Sequence, residues 1–138
     1  MRKSANMIDD GAAKIITGIE NIEIFLEDDD QWQFHDSGIR DIHWDDKERQ
    51  LDVTVCPTFC VGIDYDYNTL EPRLDFHFTG VISLNFEFHD YGYVDEISIK
   101  KKMNGFLDTW FECYMLHVTS RGLTVDKPRF VPREDDDD

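Results

Sequence analysis

Cysteine, proline and positive charge are all scarce in this chain of 138 residues, and each scarcity closes off a class of function. The three cysteines, Cys56, Cys60 and Cys113, are an odd number without repeated spacing, so a secreted disulfide framework is not indicated. Cys56 and Cys60 stand too far apart for a tight redox loop and have no second pair to complete a zinc knuckle. Cys113 lies in an apolar run and reads as a small core residue. Only 14 Lys and Arg face 30 Asp and Glu, a formal charge of −16, of which the Glu134 to Asp138 tail carries less than a third. A field of that sign repels nucleic acid and anionic membrane and attracts basic proteins or cations. The plainer alternative is that the charge serves solubility. No apolar window reaches the length of a membrane span, and Met1 to Asn6 lacks the apolar stretch of a signal peptide, so a cytoplasmic, non-membrane protein is expected.

What is present is core material: 41% apolar residues, with ten Phe and three Trp. This length supports one domain, taken as residues 1–133 followed by a solvated acidic tail, 134–138. Ile15, Ile16, Ile19, Ile22 and Leu26 recur at helical spacing behind Asp9 and Asp10 as candidate caps, although Gly18 and the alternation of Ile22, Ile24 and Leu26 count against a helix. Beyond Gly38 the period is two. Ile42 and Trp44, the polar turn Asp45 to Arg49, and Leu51, Val53 and Val55 spell a β-hairpin that Pro57 ends.

Between Arg73 and His89 the residues Leu74, Phe76, Phe78, Ile82, Leu84, Phe86 and Phe88 all fall at even positions, and only Val81 dissents. A straight strand of that length would span roughly 50 Å, too long for a compact domain, and Gly80 is the expected bend. Ile97 and Ile99 mark a further strand. Trp110 to Val118 carries bulky residues at both parities, which predicts one central strand covered by the N-terminal helix, ended by Ser120-Arg121-Gly122 and followed by a short strand from Leu123 to Val125. The expectation is an α+β fold: a mainly antiparallel, twisted β-sheet of six to seven strands with one N-terminal helix on one face.

Few residues form a recognisable site of chemistry. His35-Asp36 and His89-Asp90 are of the type that holds catalytic divalent ions, but both sit beside strands instead of on helices, where Asp serves turns and caps. His77 projects from the Phe-rich strand between Asp75 and Thr79, where a general acid or base could act. A metal-dependent hydrolase or ligand-binding domain using His77, His89 and Asp90 is therefore the second reading. No phosphate loop or nucleophile elbow occurs, and no metal, cofactor or catalytic residue is assigned. Stronger is the mixture of carboxylates and aromatics: Asp28, Asp29 and Asp30; Asp45, Asp46 and Glu48; and Asp64, Tyr65, Asp66 and Tyr67. Tyrosine gives contact area at small entropic cost and carboxylates select basic partners, so these ten are the candidate partner-binding residues. The Asp64-x-Asp66 step lacks the Gly and Glu of a calcium loop.

The run Trp32-Gln33-Phe34-His35-Asp36-Ser37-Gly38-Ile39-Arg40-Asp41-Ile42, with the hairpin to Val55 and the later Phe76-His77-Phe78-Thr79-Gly80-Val81, resembles immunity proteins of bacterial polymorphic toxin systems. That resemblance implies a non-enzymatic role, binding and blocking a cognate protein toxin inside the producing cell; the acidic charge suits a basic toxin, a nuclease being one candidate. It implies no catalytic residue.

Overall fold

Alternating side chains dictate most of the architecture, because one parity of each strand must leave water. The computed structural model describes residues 7–25, 37–57, 62–87, 93–94, 97–112 and 116–133. They form β1 (Met7–Ile8), α1 (Asp10–Ala13), α2 (Glu20–Glu23), β2 (Ser37–Asp45), β3 (Gln50–Cys56), β4 (Leu70–Phe86), β5 (Tyr93–Val94), β6 (Ile97–Lys101), β7 (Leu107–Phe111), β8 (Leu116–Val125) and β9 (Arg129–Pro132). Seven of these nine strands are longer than two residues. The sheet order is β1-β6-β7-β8-β4-β3-β2-β5, with β9 continuing beyond β8 along the start of β4. Only the β1 to β6 pairing between named strands is parallel. No helix among the described residues is long and apolar enough to cross a membrane.

The antiparallel sheet and the hairpin of β2 and β3 agree with the sequence pattern, with Ile42 opposite Val53 and Trp44 opposite Leu51. The single N-terminal helix does not form. Gly18 adopts φ +83°, and the chain is instead two one-turn helices. Between them Thr17 pairs with β8 as an isolated bridge: its N–H donates to Leu123 O at 3.0 Å and its carbonyl accepts from Val125 N at 2.9 Å. Backbone pairing there outweighs helical periodicity. The expected cap does form, with Asp9 accepting from Ala12 N at 2.8 Å.

The expected central strand from Trp110 to Val118 is two strands. Phe111 of β7 lies opposite Leu116 of β8, so bulky residues at both parities reflect a chain reversal and not a strand buried on both faces. Nor does Ser120-Arg121-Gly122 end a strand, since β8 runs through it to Val125.

The unbroken even parity of β4 is also overturned, and this decides the shape. Gly80 takes φ +59°, after which Val81 is buried while Ile82 is 49% exposed. β8 changes phase at the same level, its buried positions moving from Leu123 and Val125 to Ser120, Val118 and Leu116. A bulge between Val81 and Ser83 then sets Leu84 opposite Val118 and Phe86 opposite Leu116.

These irregularities fold the sheet over on itself. Phe111 neighbours Leu116, which neighbours Phe86, ten residues beyond Phe76 along β4. Along a straight strand that is about 33 Å, yet the Phe111 ring meets the Phe76 ring edge-on at 5.4 Å and the Phe78 ring at 6.2 Å. One layer therefore holds β2, β3, the first part of β4 and the last part of β8, and the facing layer holds β6, β7 and the rest of β4 and β8. Ala12, Ile16, Ile22 and Phe25 of the N-terminal segment complete the same core. That segment runs from β6, where Asp9 N donates to Ile99 O at 3.1 Å, to β8 at Thr17, and so crosses from one layer to the other.

Gly18 and Gly80 are predicted to be unequal in cost. A Cβ at Gly80 would stand 2.8–2.9 Å from Arg121 Cδ, Cβ and Cγ, and the Arg121 Cβ cannot swing away, so Gly80→Ala should lose more than the roughly 1–2 kcal/mol of left-handed strain alone. At Gly18 a Cβ would stand 2.1 Å from the Val125 carbonyl oxygen, a backbone atom, so Gly18→Ala should lose clearly more. Urea unfolding midpoints of the two variants check this; equal losses would show that Thr17 is not fixed against β8.

Candidate functional site

The sequence-predicted binding residues fall into separated places. Asp28, Asp29 and Asp30 lie outside the described residues, as do His35, Asp36, Cys60, His89, Asp90 and Cys113. Asp45, Asp46 and Glu48 occupy the β2 to β3 turn. Asp45 accepts from the N–H groups of Lys47 and Glu48, both at 3.1 Å, and Asp46 pairs with Arg49 at 3.6 Å. Asp64, Tyr65, Asp66 and Tyr67 lie before β4. Val81 N donates to Arg49 O and Leu70 N to Asp66 O, so the two acidic groups sit eleven residues apart along β4, roughly 35 Å for a straight strand. They do not form one patch.

Residues 62–69 are held from several sides. Asp66 accepts from Asn68 N at 3.1 Å and from Thr69 Oγ1 at 3.0 Å, as expected for Asp in a turn. The Tyr65 ring stacks on Phe130 of β9 at 4.4 Å, and Arg133 Nε donates to the Tyr67 carbonyl at 2.7 Å. Tyr67 stays 55% exposed and Asp64 is exposed. Tyr65 and Asp66 thus build the loop, and Asp64 and Tyr67 are what it presents.

On the outward face of the first layer the pairing register lines up His43, Asp52, His77 and Thr124 as one row across four strands. His77 Nδ1 lies 2.8 Å from Asp52 Oδ1, and its Nε2 lies 2.8 Å from Asp126 Oδ2. Beside it Asp75 accepts from Thr54 Oγ1 at 2.6 Å and from Arg129 Nε and Nη2 at 2.7 and 3.2 Å. Partial burial alone would lower the His77 value, but the hydrogen bonds that its N–H groups donate to Asp52 and Asp126 outweigh it and hold the imidazole above its ordinary 6.5. Burial would likewise raise Asp75, yet the Arg129 and Thr54 bonds bring it below its ordinary 3.8. With a carboxylate at each nitrogen, the protonated imidazole can donate both of its N–H groups, which is why the charged form is favoured. Both ring nitrogens of His77 are engaged in this arrangement, which ties β3, β4 and the segment after β8 together. Among the described residues no three or more His, Cys, Asp and Glu side chains gather as a metal site.

The Cys56 thiol at the end of β3 accepts from Arg73 Nη1 at 2.9 Å. Arg73 is 5% exposed and also bonds Glu71 at 3.0 Å and the Pro72 carbonyl at 3.1 Å, so its charge is matched inside the fold.

A second outward site was not foreseen. In the other layer Trp110, His117 and Asn85 form one row across β7, β8 and β4, and Asp108, Thr119 and Ser83 form the next. Trp110 and His117 stack nearly parallel at 3.8 Å, His117 Nε2 bonds Asp108 Oδ1, and Thr119 Oγ1 donates to the same oxygen at 3.3 Å. Lys102 Nζ stands 3.7 Å from the other Asp108 oxygen. Asn85, Phe86, Glu87, Trp110 and His117 line an open cleft of about 380 Å³. The signal lay in the sequence: His117 and Thr119 alternate with the buried Leu116 and Val118. It was obscured by reading Trp110 as a core residue of a single strand.

The His77 arrangement carries a definite pH dependence. A folded value above 6.5 means that its stabilisation is complete below that pH and is lost as pH rises through the folded value. For Asp75 the contribution is complete above 3.8 and is lost as pH falls through the lowered folded value. His77→Gln should flatten the alkaline side of the Tm against pH profile and leave the Asp75-dependent acid side in place. A wild-type profile with no alkaline decline would refute the clasp. Comparison of the chain with protein-family models, with curated proteins and with solved structures finds no match.

Proposed function

We propose that this protein is an immunity-type binding protein, one that neutralises a cognate basic toxin by direct protein contact and catalyses no reaction itself. The observation that carries this reading is the pinned 62–69 loop, which presents Tyr67 and Asp64 on a chain of formal charge −16. A loop already fixed by Asp66, Phe130 and Arg133 loses little conformational entropy when it docks. An exposed tyrosine and an exposed carboxylate on one loop supply the side-chain chemistry of a contact for basic surfaces. The β2 to β3 turn is the weaker candidate, since Lys47 and Arg49 offset its three acids.

Much of the remaining negative charge lies in Glu27 to Asp30, Asp95, Glu96 and Glu134 to Asp138, outside the described residues. Charge of this density raises the rate of encounter with a basic partner, and salt screens it. The likeness of the Trp32 to Val55 run to immunity proteins points to a toxin as that partner.

The test is retention of a partner from source-cell lysate on the immobilised chain. A single basic protein should be held at low salt and released at high salt. The Asp64→Asn, Tyr67→Ala double variant should hold it at least about tenfold more weakly, as expected for loss of an interface anchor. Undiminished retention by the double variant would move the interface elsewhere, and the absence of any specifically retained basic protein would sink the reading.

A further inference from the structure

We infer that the cleft lined by Asn85, Phe86, Glu87, Trp110 and His117 is a binding site for a guanidinium-type organic cation. Its volume of about 380 Å³ suits a small organic group and exceeds what a bare ion would fill. Trp110 supplies the aromatic wall, and Phe86, 46% exposed, lines the cleft at the end of β4. Trp110 is fixed in plane by its stack on His117, which Asp108 holds in turn.

The charges around the cleft select the ligand. Asp108 is committed to His117, Thr119 and Lys102, so the carboxylate left to meet a ligand is Glu87, which has no ion pair or hydrogen bond among the described residues. Asn85 adds an amide oxygen. An anion would meet the Glu87 charge and the acidic field of the whole chain. A neutral aromatic ligand would desolvate Glu87 without a partner. A guanidinium stacks on an aromatic face, is weakly hydrated, and donates a planar fork to a carboxylate, so it satisfies both wall types together.

The cation can be free or carried on a peptide, and the two sources are separable. Isothermal titration of the full chain at low salt would use agmatine, the capped peptide acetyl-Gly-Arg-Gly-amide and its citrulline counterpart. Both guanidinium probes should bind saturably, the citrulline peptide markedly more weakly, and Glu87→Gln should weaken the guanidinium probes about five- to tenfold. Stronger binding of the peptide assigns the site to an arginine of a protein, and stronger binding of agmatine to a free metabolite; either supports the guanidinium class. Equal binding of the arginine and citrulline peptides, undiminished binding by Glu87→Gln, or no binding of either guanidinium probe overturns the assignment. Glu87 is exposed, so the variant folds without a core change, which circular dichroism verifies. The Asp64→Asn, Tyr67→Ala variant should bind agmatine as the wild type does, so this site and the toxin-binding reading can fail separately.

Discussion

The bend at Gly80 is the constraint on which the rest of the molecule depends. β8 pairs with β4 along its whole length, from Leu116 opposite Phe86 to Val125 opposite Phe76, and a straight pair of that extent could not share one core. A left-handed φ at Gly80, matched by the phase change around Arg121 in β8, turns both strands at the same level. Two layers then face each other, and the Phe111 ring meets the Phe76 and Phe78 rings edge-on where it would otherwise lie strands away. Such aromatic pairs add about 0.5–1.5 kcal/mol each beyond their buried area. The N-terminal segment joins the layers, and Gly18 lets it do so through a backbone bridge to β8 in place of a continuous helix.

Folding the sheet inward also decides what faces outward. Each layer offers water a grid of polar side chains set by strand register, and each grid contains one histidine bonded to aspartate. The chemical difference between them comes from their neighbours. His77 sits between two carboxylates, which engage both of its ring nitrogens. His117 meets Asp108 through Nε2 and lays its ring against Trp110, which leaves an aromatic wall beside an uncommitted carboxylate, Glu87. A clasp and a cleft arise from the same alternation of side chains.

The binding residues read from sequence are divided by the fold. Composition marks Asp64 to Tyr67 and Asp45 to Glu48 alike as acidic segments, but only packing tells a presented side chain from a supporting one. Tyr65 is consumed by Phe130 and Asp66 by the turn it closes, while Tyr67 and Asp64 face outward. Phe130 and Arg133, which fix this loop, lie more than sixty residues along the chain, and no local pattern connects them to it.

By itself the sequence determined the strands, because period-two alternation is a local property: β2 and β3, β6, the inward set Leu74, Phe76 and Phe78, and Gly80 as the place of the bend were all legible. The Asp9 cap was legible for the same reason. Tertiary structure alone decided where local signals conflict or reach across the chain. Helical spacing from Ile15 to Ile22 gave way to pairing of Thr17 with β8, since hydrogen bonds to a strand over a hundred residues away satisfy backbone that an interrupted helix would leave open. The reversal between Phe111 and Leu116, the pairing of His77 with Asp52, and the alignment of Trp110, His117 and Asn85 in one row follow from strand register. Register is fixed by burial of the whole sheet and not by any one segment.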